Sequence, residues 1–234
     1  MTLKVVLFDF NGVIINDELL HEKLIEKVLL EENLVLQPGE YRKFCLGRSD
    51  KAGLENIMIQ RGRYVKAEYL HQLIKRKNLD YQQQLESMEK LPIYLDTVDF
   101  ISQLSQTNLK MALVTGAVRS EVELVLNKAN LADYFKVIIT GDDVKASKPE
   151  PDGYLLAVDV LNQQYIDINL KPSECLVIED TFPGIEAAKL AGMPVVAVAN
   201  TYPFHMLQRL ANWCVDYLSD LELDRVQKVY QEVV

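Results

Sequence analysis

Apolar residues along this chain fall into two alternating patterns. Short unbroken runs, Leu3-Lys4-Val5-Val6-Leu7-Phe8, Met111-Ala112-Leu113-Val114, Val137-Ile138-Ile139, Leu176-Val177-Ile178 and Pro194-Val195-Val196-Ala197-Val198, read as strands buried on both faces. Between them apolar residues recur at helical spacing. Leu20, Leu24 and Val28 mark a helix over 17–32, with Leu19, Ile25 and Leu29 beside them and an acidic start that suits the helix dipole. Pro38-Gly39 breaks it, and residues 40–88 then read as helical throughout, punctuated by Gly47, Gly53 and Gly62. Further helices are predicted around Val98, Ile101 and Leu104, over 119–129, after Pro149 and Pro151, and over 183–191.

Strands alternating with helices imply right-handed βαβ units and a parallel sheet. The helical block after the first strand interrupts that alternation and reads as an insertion. The expected fold is therefore α/β: a Rossmann-like parallel-sheet core (1–15 and 92–234) with an inserted helical cap (16–91).

Composition narrows the function classes. The 234 residues are 49% hydrophobic and 25% charged, the balance of an ordinary globular protein. A formal net charge of −9 disfavours a nucleic-acid partner. Apolar runs all fall short of the roughly 18 residues of a membrane span, so no membrane partner and a cytoplasmic location are expected. Cys45, Cys175 and Cys214 are widely spaced and read as buried apolar residues, and the three histidines as surface or partner-bonded ones.

In open parallel sheets ligands bind beyond the carboxyl ends of the strands. Four such ends carry polar residues here: Asp9 with Asn11, Thr115 with Gly116, Lys148, and Glu179 with Asp180. Carboxylates from two strand ends suit a shared Mg²⁺, which retains waters and recruits substrate phosphate. Lys148 and Thr115 would offer charge and a donor to the same anion.

The segments Phe8-Asp9-Phe10-Asn11-Gly12-Val13, Val114-Thr115-Gly116, Ser147-Lys148-Pro149-Glu150-Pro151-Asp152 and Ile178-Glu179-Asp180-Thr181 resemble, in order and spacing, the four motifs of the haloacid dehalogenase superfamily. The helical insertion is similar to that of its β-phosphoglucomutase-like phosphatases. The resemblance implies that Asp9 attacks phosphorus and forms an aspartyl-phosphate, and that Lys148 and Thr115 steady the transferring group. It further implies Mg²⁺ held by Asp9, the Asn11 carbonyl and Asp180 with Glu179 in support, and phosphate cradled by backbone at Phe10 and Asn11 and by Gly116. The partner expected is a small phosphorylated metabolite, such as a sugar phosphate, acted on by a monomer.

One residue departs from that pattern. Phosphatases of the family carry a second aspartate where this chain has Asn11, and an amide has no proton to exchange near neutral pH. Slowed turnover of alkyl phosphates is expected, with Asn11→Asp raising it. A phosphate-binding or regulatory protein with little turnover, a mutase-like enzyme and a phosphonate-cleaving relative remain alternatives. Arg48, in the Gly47-Arg48-Ser49-Asp50 loop of the insertion, and Arg119 are candidate phosphate contacts; Asp50 reads as a helix cap with a second reading as a substitute base, and Tyr154 and Tyr202 as packing.

Overall fold

The computed structural model describes residues 2–232. Six strands, β1 (Val5–Phe8), β2 (Lys110–Val114), β3 (Val137–Ile139), β4 (Cys175–Glu179), β5 (Val195–Val198) and β6 (Trp213–Val215), form one sheet in the order β3-β2-β1-β4-β5-β6. Every pairing is parallel, which requires crossovers, and helices supply most of them. Alternate residues of β1 enter opposite layers. Val5 and Leu7 pack with Ala112, Val114 and Val177 on one face, while Val6 and Phe8 pack with Leu113, Leu176 and Ile178 on the other. Burying side chains of this size stabilises by about 1.5–3 kcal/mol each before entropy is counted, so the apolar runs commit β1, β2 and β4 to the centre.

Residues between β1 and β2 hold α1 (Glu18–Glu31), α2 (Glu40–Phe44), α3 (Asp50–Gln60), α4 (Ala67–Ser87) and α5 (Leu95–Ser105). The first four pack on one another, and α4 also rests on α6 (Arg119–Lys128), which with α7 (Asp152–Gln164) and α8 (Phe182–Leu190) flanks the sheet. Two segments join α1–α4 to the rest and run side by side: the Asn16 N–H donates to the Pro92 carbonyl at 2.8 Å and the Tyr94 N–H to the Ile14 carbonyl at 3.0 Å.

The glycines of the helical block do different work. Gly62 follows α3 with φ +71°, a stop that glycine makes without strain. Gly53 lies inside α3, where a Cβ would fall 2.7 Å from Cys45 Sγ; it is a packing residue and not the break that its type suggested. Beyond residue 198, α9 (Phe204–Leu207), β6 and α10 (Leu223–Glu232) complete the fold; β6 is only half-buried and carries a weak strand signal, whereas α10 buries Val226 and Tyr230 at helical spacing. Cys45 and Cys175 are buried as expected, whereas Cys214 on this edge strand is partly exposed.

Candidate functional site

The chain runs outward from β1 through β2 to β3 and then returns to β4 on the other side of β1. At that reversal the carboxyl ends of β1 and β4 adjoin, a crevice where open α/β sheets bind ligands. Asp9 follows β1, Glu179 ends β4 and Asp180 follows it, so residues about 170 positions apart in sequence converge (each at most 4% exposed). The Asp9, Glu179 and Asp180 carboxylates approach within 4.8 Å of one another.

Lys148, from the loop before α7, enters this cluster. Its ammonium donates to Asp9 Oδ1 at 2.6 Å, to Glu179 Oε1 at 2.6 Å and to the Val114 carbonyl at 3.2 Å. Burial alone would push the Lys148 pKa down, but the two carboxylates outweigh it and hold the ammonium charged. Burial, then the Glu179 charge, raise Asp9 to about 7 against the pull of Lys148. Burial and the charges of Glu179 and Asp9 likewise hold Asp180 well above the usual carboxylate range. Three carboxyls facing one ammonium are short of positive charge.

The oxygens of Glu179 are well occupied. Oε1 also accepts from the Tyr154 hydroxyl at 2.8 Å, and Oε2 from the Asp180 N–H at 3.1 Å and the Thr181 hydroxyl at 3.1 Å. Tyr154, expected only to pack, thus orients a carboxylate. Asp180 differs: Oδ2 accepts from the Thr201 hydroxyl, while the buried Oδ1 has no hydrogen-bond partner. A buried carboxylate oxygen left unpaired is costly, and here it lies beside Asp9 in a cluster carrying excess negative charge. That chemistry, hard oxygens around an orphaned acceptor, fits a divalent cation. Gly12 allows this approach: its φ is +78°, and a Cβ there would fall 1.9 Å from Asp180 Oδ2.

Thr115 and Gly116 close another side. Thr115 is buried, with its hydroxyl oxygen accepting from the Ala117 N–H at 3.0 Å. A Cβ on Gly116 would lie 2.9 Å from both the Arg48 carbonyl carbon and the Ser49 nitrogen, so glycine lets the 47–50 loop settle on the sheet. The Ser49 N–H also donates to the Ser147 hydroxyl at 2.8 Å. The cavity so enclosed, about 30 Å³, is lined by Asp9, Asn11, Thr115, Gly116, Arg48 and Lys148 among others. Phe10 keeps its side chain in the core and offers only backbone here, a hydrogen bond that pulls the Asp9 pKa down.

Arg119 is not brought to this cavity. Its guanidinium donates to Asp143 at 2.6 Å and to the Ile138 carbonyl at 3.1 Å, and its N–H to Asp142 at 2.8 Å; these loop acceptors hold it at the far side of the β3 end. Nor does Asp50 cap α3. Ser49 is the N-cap and accepts from the Ala52 N–H at 3.3 Å, which frees Asp50 to pair with Lys77 at 2.7 Å.

A second polar cluster, unforeseen in the sequence, adjoins Asn11. The Asn11 amide donates to both oxygens of Asp17, at 3.1 and 3.0 Å, and lies 3.1 Å from His21 Nε2. Asp17 also accepts from the Tyr81 hydroxyl at 2.5 Å and contacts His21 Nε2 at 3.2 Å. Burial pushes Asp17 up, but His21 and these hydrogen bonds outweigh it and hold its carboxyl below the usual range. Beyond His21 the ammonium of the fully buried Lys77 sits 2.6 Å from Nδ1, 2.7 Å from Asp50 and 3.2 Å from Glu121 of α6. His21, Asp50 and Glu121 have the spacing of a metal triad, but Lys77 already supplies the cation there. Only the i, i+4 spacing of Asp17 and His21 hinted at this cluster.

A family model described as haloacid dehalogenase-like hydrolase matches residues 6–198. The chain is 29% identical over 233 residues to a β-phosphoglucomutase of Bacillus subtilis, covering 98% of this chain and 96% of that one. It is 28% identical over 192 residues to a phosphorylated carbohydrates phosphatase of Thermotoga maritima, covering 82% of each. In fold it is similar to a β-phosphoglucomutase of Clostridium difficile, with TM-score 0.84 at 23% identity over 98% of both chains. With the four motifs gathered at one sheet edge, the chain belongs to the haloacid dehalogenase-like hydrolases.

Proposed function

We propose that this hydrolase is a Mg²⁺-dependent phosphatase of small phosphorylated metabolites, sugar phosphates among them, working through an aspartyl-phosphate. The observation that carries the reading is the buried Asp9–Lys148 pair beside an unpartnered Asp180 oxygen. Lys148 fixes Asp9 Oδ1 and leaves Oδ2 to attack phosphorus, so the Asp9–phosphorus bond forms as the bond to the leaving oxygen breaks. Phosphoryl transfer asks mainly for positioning and charge neutralisation. Lys148 supplies one positive charge, Thr115 a hydroxyl, and the backbone at Phe10 and Asn11 further donors. Asp9, the Asn11 carbonyl and Asp180 would hold Mg²⁺, with Glu179 keeping Lys148 and the Asp180 backbone in place; bound there, the ion neutralises phosphoryl oxygens. The names of the relatives, a carbohydrate phosphatase and a sugar-phosphate mutase, support this substrate class.

We infer further that residues 16–91 act as a cap that opens to admit substrate. A cavity of about 30 Å³ holds roughly one water, far less than a phosphate ester, and the 47–50 loop walls it, with Arg48 in its lining and the Arg48 guanidinium donating to the Lys43 carbonyl at 3.0 Å. The paired segments at Asn16–Pro92 and Ile14–Tyr94 make a hinge.

The test is release of inorganic phosphate from a panel of phosphorylated metabolites with Mg²⁺ or with a chelator. Turnover that requires Mg²⁺ and vanishes in Asp9→Asn is expected. Equal release by the two proteins, or none from any compound in the Mg²⁺-saturated protein, overturns the reading.

A further inference from the structure

Asn11 leaves the reaction without a proton donor at the position next to the nucleophile. An alkoxide is a poor leaving group, so hydrolysis of an alkyl phosphate needs a proton delivered to the departing oxygen. Such a donor must come from the ionisable groups that line the cavity with Asp9.

Most are committed elsewhere. Asp50 and Glu121 face the buried Lys77 ammonium, and Glu121, though its Oε2 has no partner, is almost wholly buried against it. Asp17 lies behind Asn11, with its oxygens taken by Asn11, Tyr81 and His21. His21 reaches the cavity wall, but both of its ring nitrogens are taken, Nδ1 by the Lys77 ammonium at 2.6 Å and Nε2 by Asp17 at 3.2 Å. The Tyr41 hydroxyl and the Cys45 thiol are pushed up by burial and keep their protons.

Glu18 is different. It stands in the first turn of α1, lines the cavity with Asp9, and accepts one hydrogen bond, from the Tyr41 hydroxyl to Oε2 at 2.7 Å. Among the described residues no lysine or arginine forms an ion pair with it. It also lines a neighbouring groove with Thr201, whose hydroxyl donates to Asp180 Oδ2, which places it toward the metal-holding side. We propose that Glu18 is the acid–base group of this active site and does the work that Asn11 cannot. The inference rests on the phosphatase reading above.

The step balances without a further reactant. As Asp9 Oδ2 bonds to phosphorus, the electron pair of the phosphorus–oxygen ester bond goes to the departing oxygen, which takes the Glu18 proton. Water then enters. Glu18 carboxylate takes its proton as the water oxygen bonds to phosphorus, and the Asp9–phosphorus pair returns to the Asp9 carboxylate. Glu18 ends protonated and inorganic phosphate leaves. Burial raises the Glu18 pKa and the Asp17 charge adds to it, against His21, Lys77 and the Tyr41 hydrogen bond; the net direction is upward. A carboxyl shifted that way keeps more of its acid form near neutral pH.

The experiment compares kcat/KM of the Mg²⁺-loaded full chain and its Glu18→Gln variant on glycerol 2-phosphate and p-nitrophenyl phosphate across pH. Glutamine keeps the size and the Tyr41 acceptor but carries no transferable proton. Expected is a loss of about 10²–10⁴-fold on the alkyl ester, a change of only a few-fold on the aryl ester, and disappearance of the basic limb of the alkyl-ester profile. Tyr41→Phe removes a hydrogen bond that favours the Glu18 carboxylate, so that limb should move to higher pH. An unchanged alkyl-ester rate in Glu18→Gln, or an equal loss on both esters with the pH profile retained, overturns the assignment. If the starting protein hydrolyses neither ester and gains no 80 Da phosphoryl adduct by intact mass (roughly, from bond replacement), the phosphatase reading falls and takes the Glu18 role with it; an adduct that forms without alkyl-ester turnover overturns the Glu18 role alone.

Discussion

The Asn11 amide donates to both carboxylate oxygens of Asp17, at 3.1 and 3.0 Å, so the two residues form a matched donor–acceptor pair. An aspartate at position 11 would set two carboxylates about that far apart, with Asp17 nearly out of water (3% exposed).

That pair changes what Asn11→Asp should do. The substitution, read from the motif alone, restores an acid and speeds turnover. In this structure it places like charges together, so the single variant should lose about 1–3 kcal/mol and gain little activity. Asn11→Asp with Asp17→Asn returns one donor and one acceptor and should recover most of the stability. Urea unfolding of the two single variants and the double variant checks this; additive losses would mean the pair is not coupled.

Metal and pH should act together on stability. The Asp9 carboxyl is raised from 3.8 to about 7 in the fold, so the folded state favours its protonated form. Its stabilising contribution is fully present below about pH 4 and is lost as pH rises through 7. Asp180 shifts in the same direction. In a chelator the melting temperature should therefore fall from this cause over that window, and Mg²⁺ should restore several degrees at pH 8 but almost nothing at pH 5. Scanning calorimetry at both pH values with and without Mg²⁺ measures the difference, and a Mg²⁺ gain independent of pH contradicts it.

Mg²⁺ affinity should depend on the unpartnered oxygen of Asp180. Asp180→Asn keeps the Thr201 contact within reach but removes the charge, so calorimetric titration should show binding weakened by about tenfold or more. Asn11→Ala should bind nearly as the starting protein does, because the backbone carbonyl remains. Unchanged affinity in Asp180→Asn would remove this residue from the metal site.

Lys77 is fully buried among Asp50, Glu121 and His21. Lys77→Met should cost about 3–5 kcal/mol because it strands buried carboxylates. Adding Glu121→Gln should return part of that loss. Denaturant midpoints decide, and a loss below about 1 kcal/mol would show the cluster to be well solvated.

Gly116 meets the backbone of Arg48 and Ser49 at 2.9 Å from where a Cβ would stand. Gly116→Ala should hold the 47–50 loop off the sheet, lower kcat/KM by about tenfold or more and leave Mg²⁺ affinity intact. Solution scattering should show a larger radius of gyration; an unchanged radius with normal kinetics would argue that the loop yields easily.

Local sequence was enough to determine the central strands, because Val5–Phe8 and Leu176–Ile178 are apolar at every position and such runs are stable only inside a sheet covered on both faces. It also brought polar side chains to one end of the sheet, since polar residues at the ends of buried strands have nowhere to go but the exposed strand ends. Asp9, Thr115, Glu179 and Asp180 were legible as neighbours for that reason, whereas Lys148, well past β3 in the loop before α7, was legible only from its motif. Tertiary structure alone decided what each side chain faces. Asn11 looked like a lost carboxylate until the fold put Asp17 against it; Arg119 looked like an anion contact until Asp142 and Asp143 claimed it. Glu18, Tyr41, Lys77 and Glu121 lie on four different helices. Periodicity says which side of a helix is buried, but the partner across the interface depends on how the helices pack, and no spacing along the chain encodes that contact.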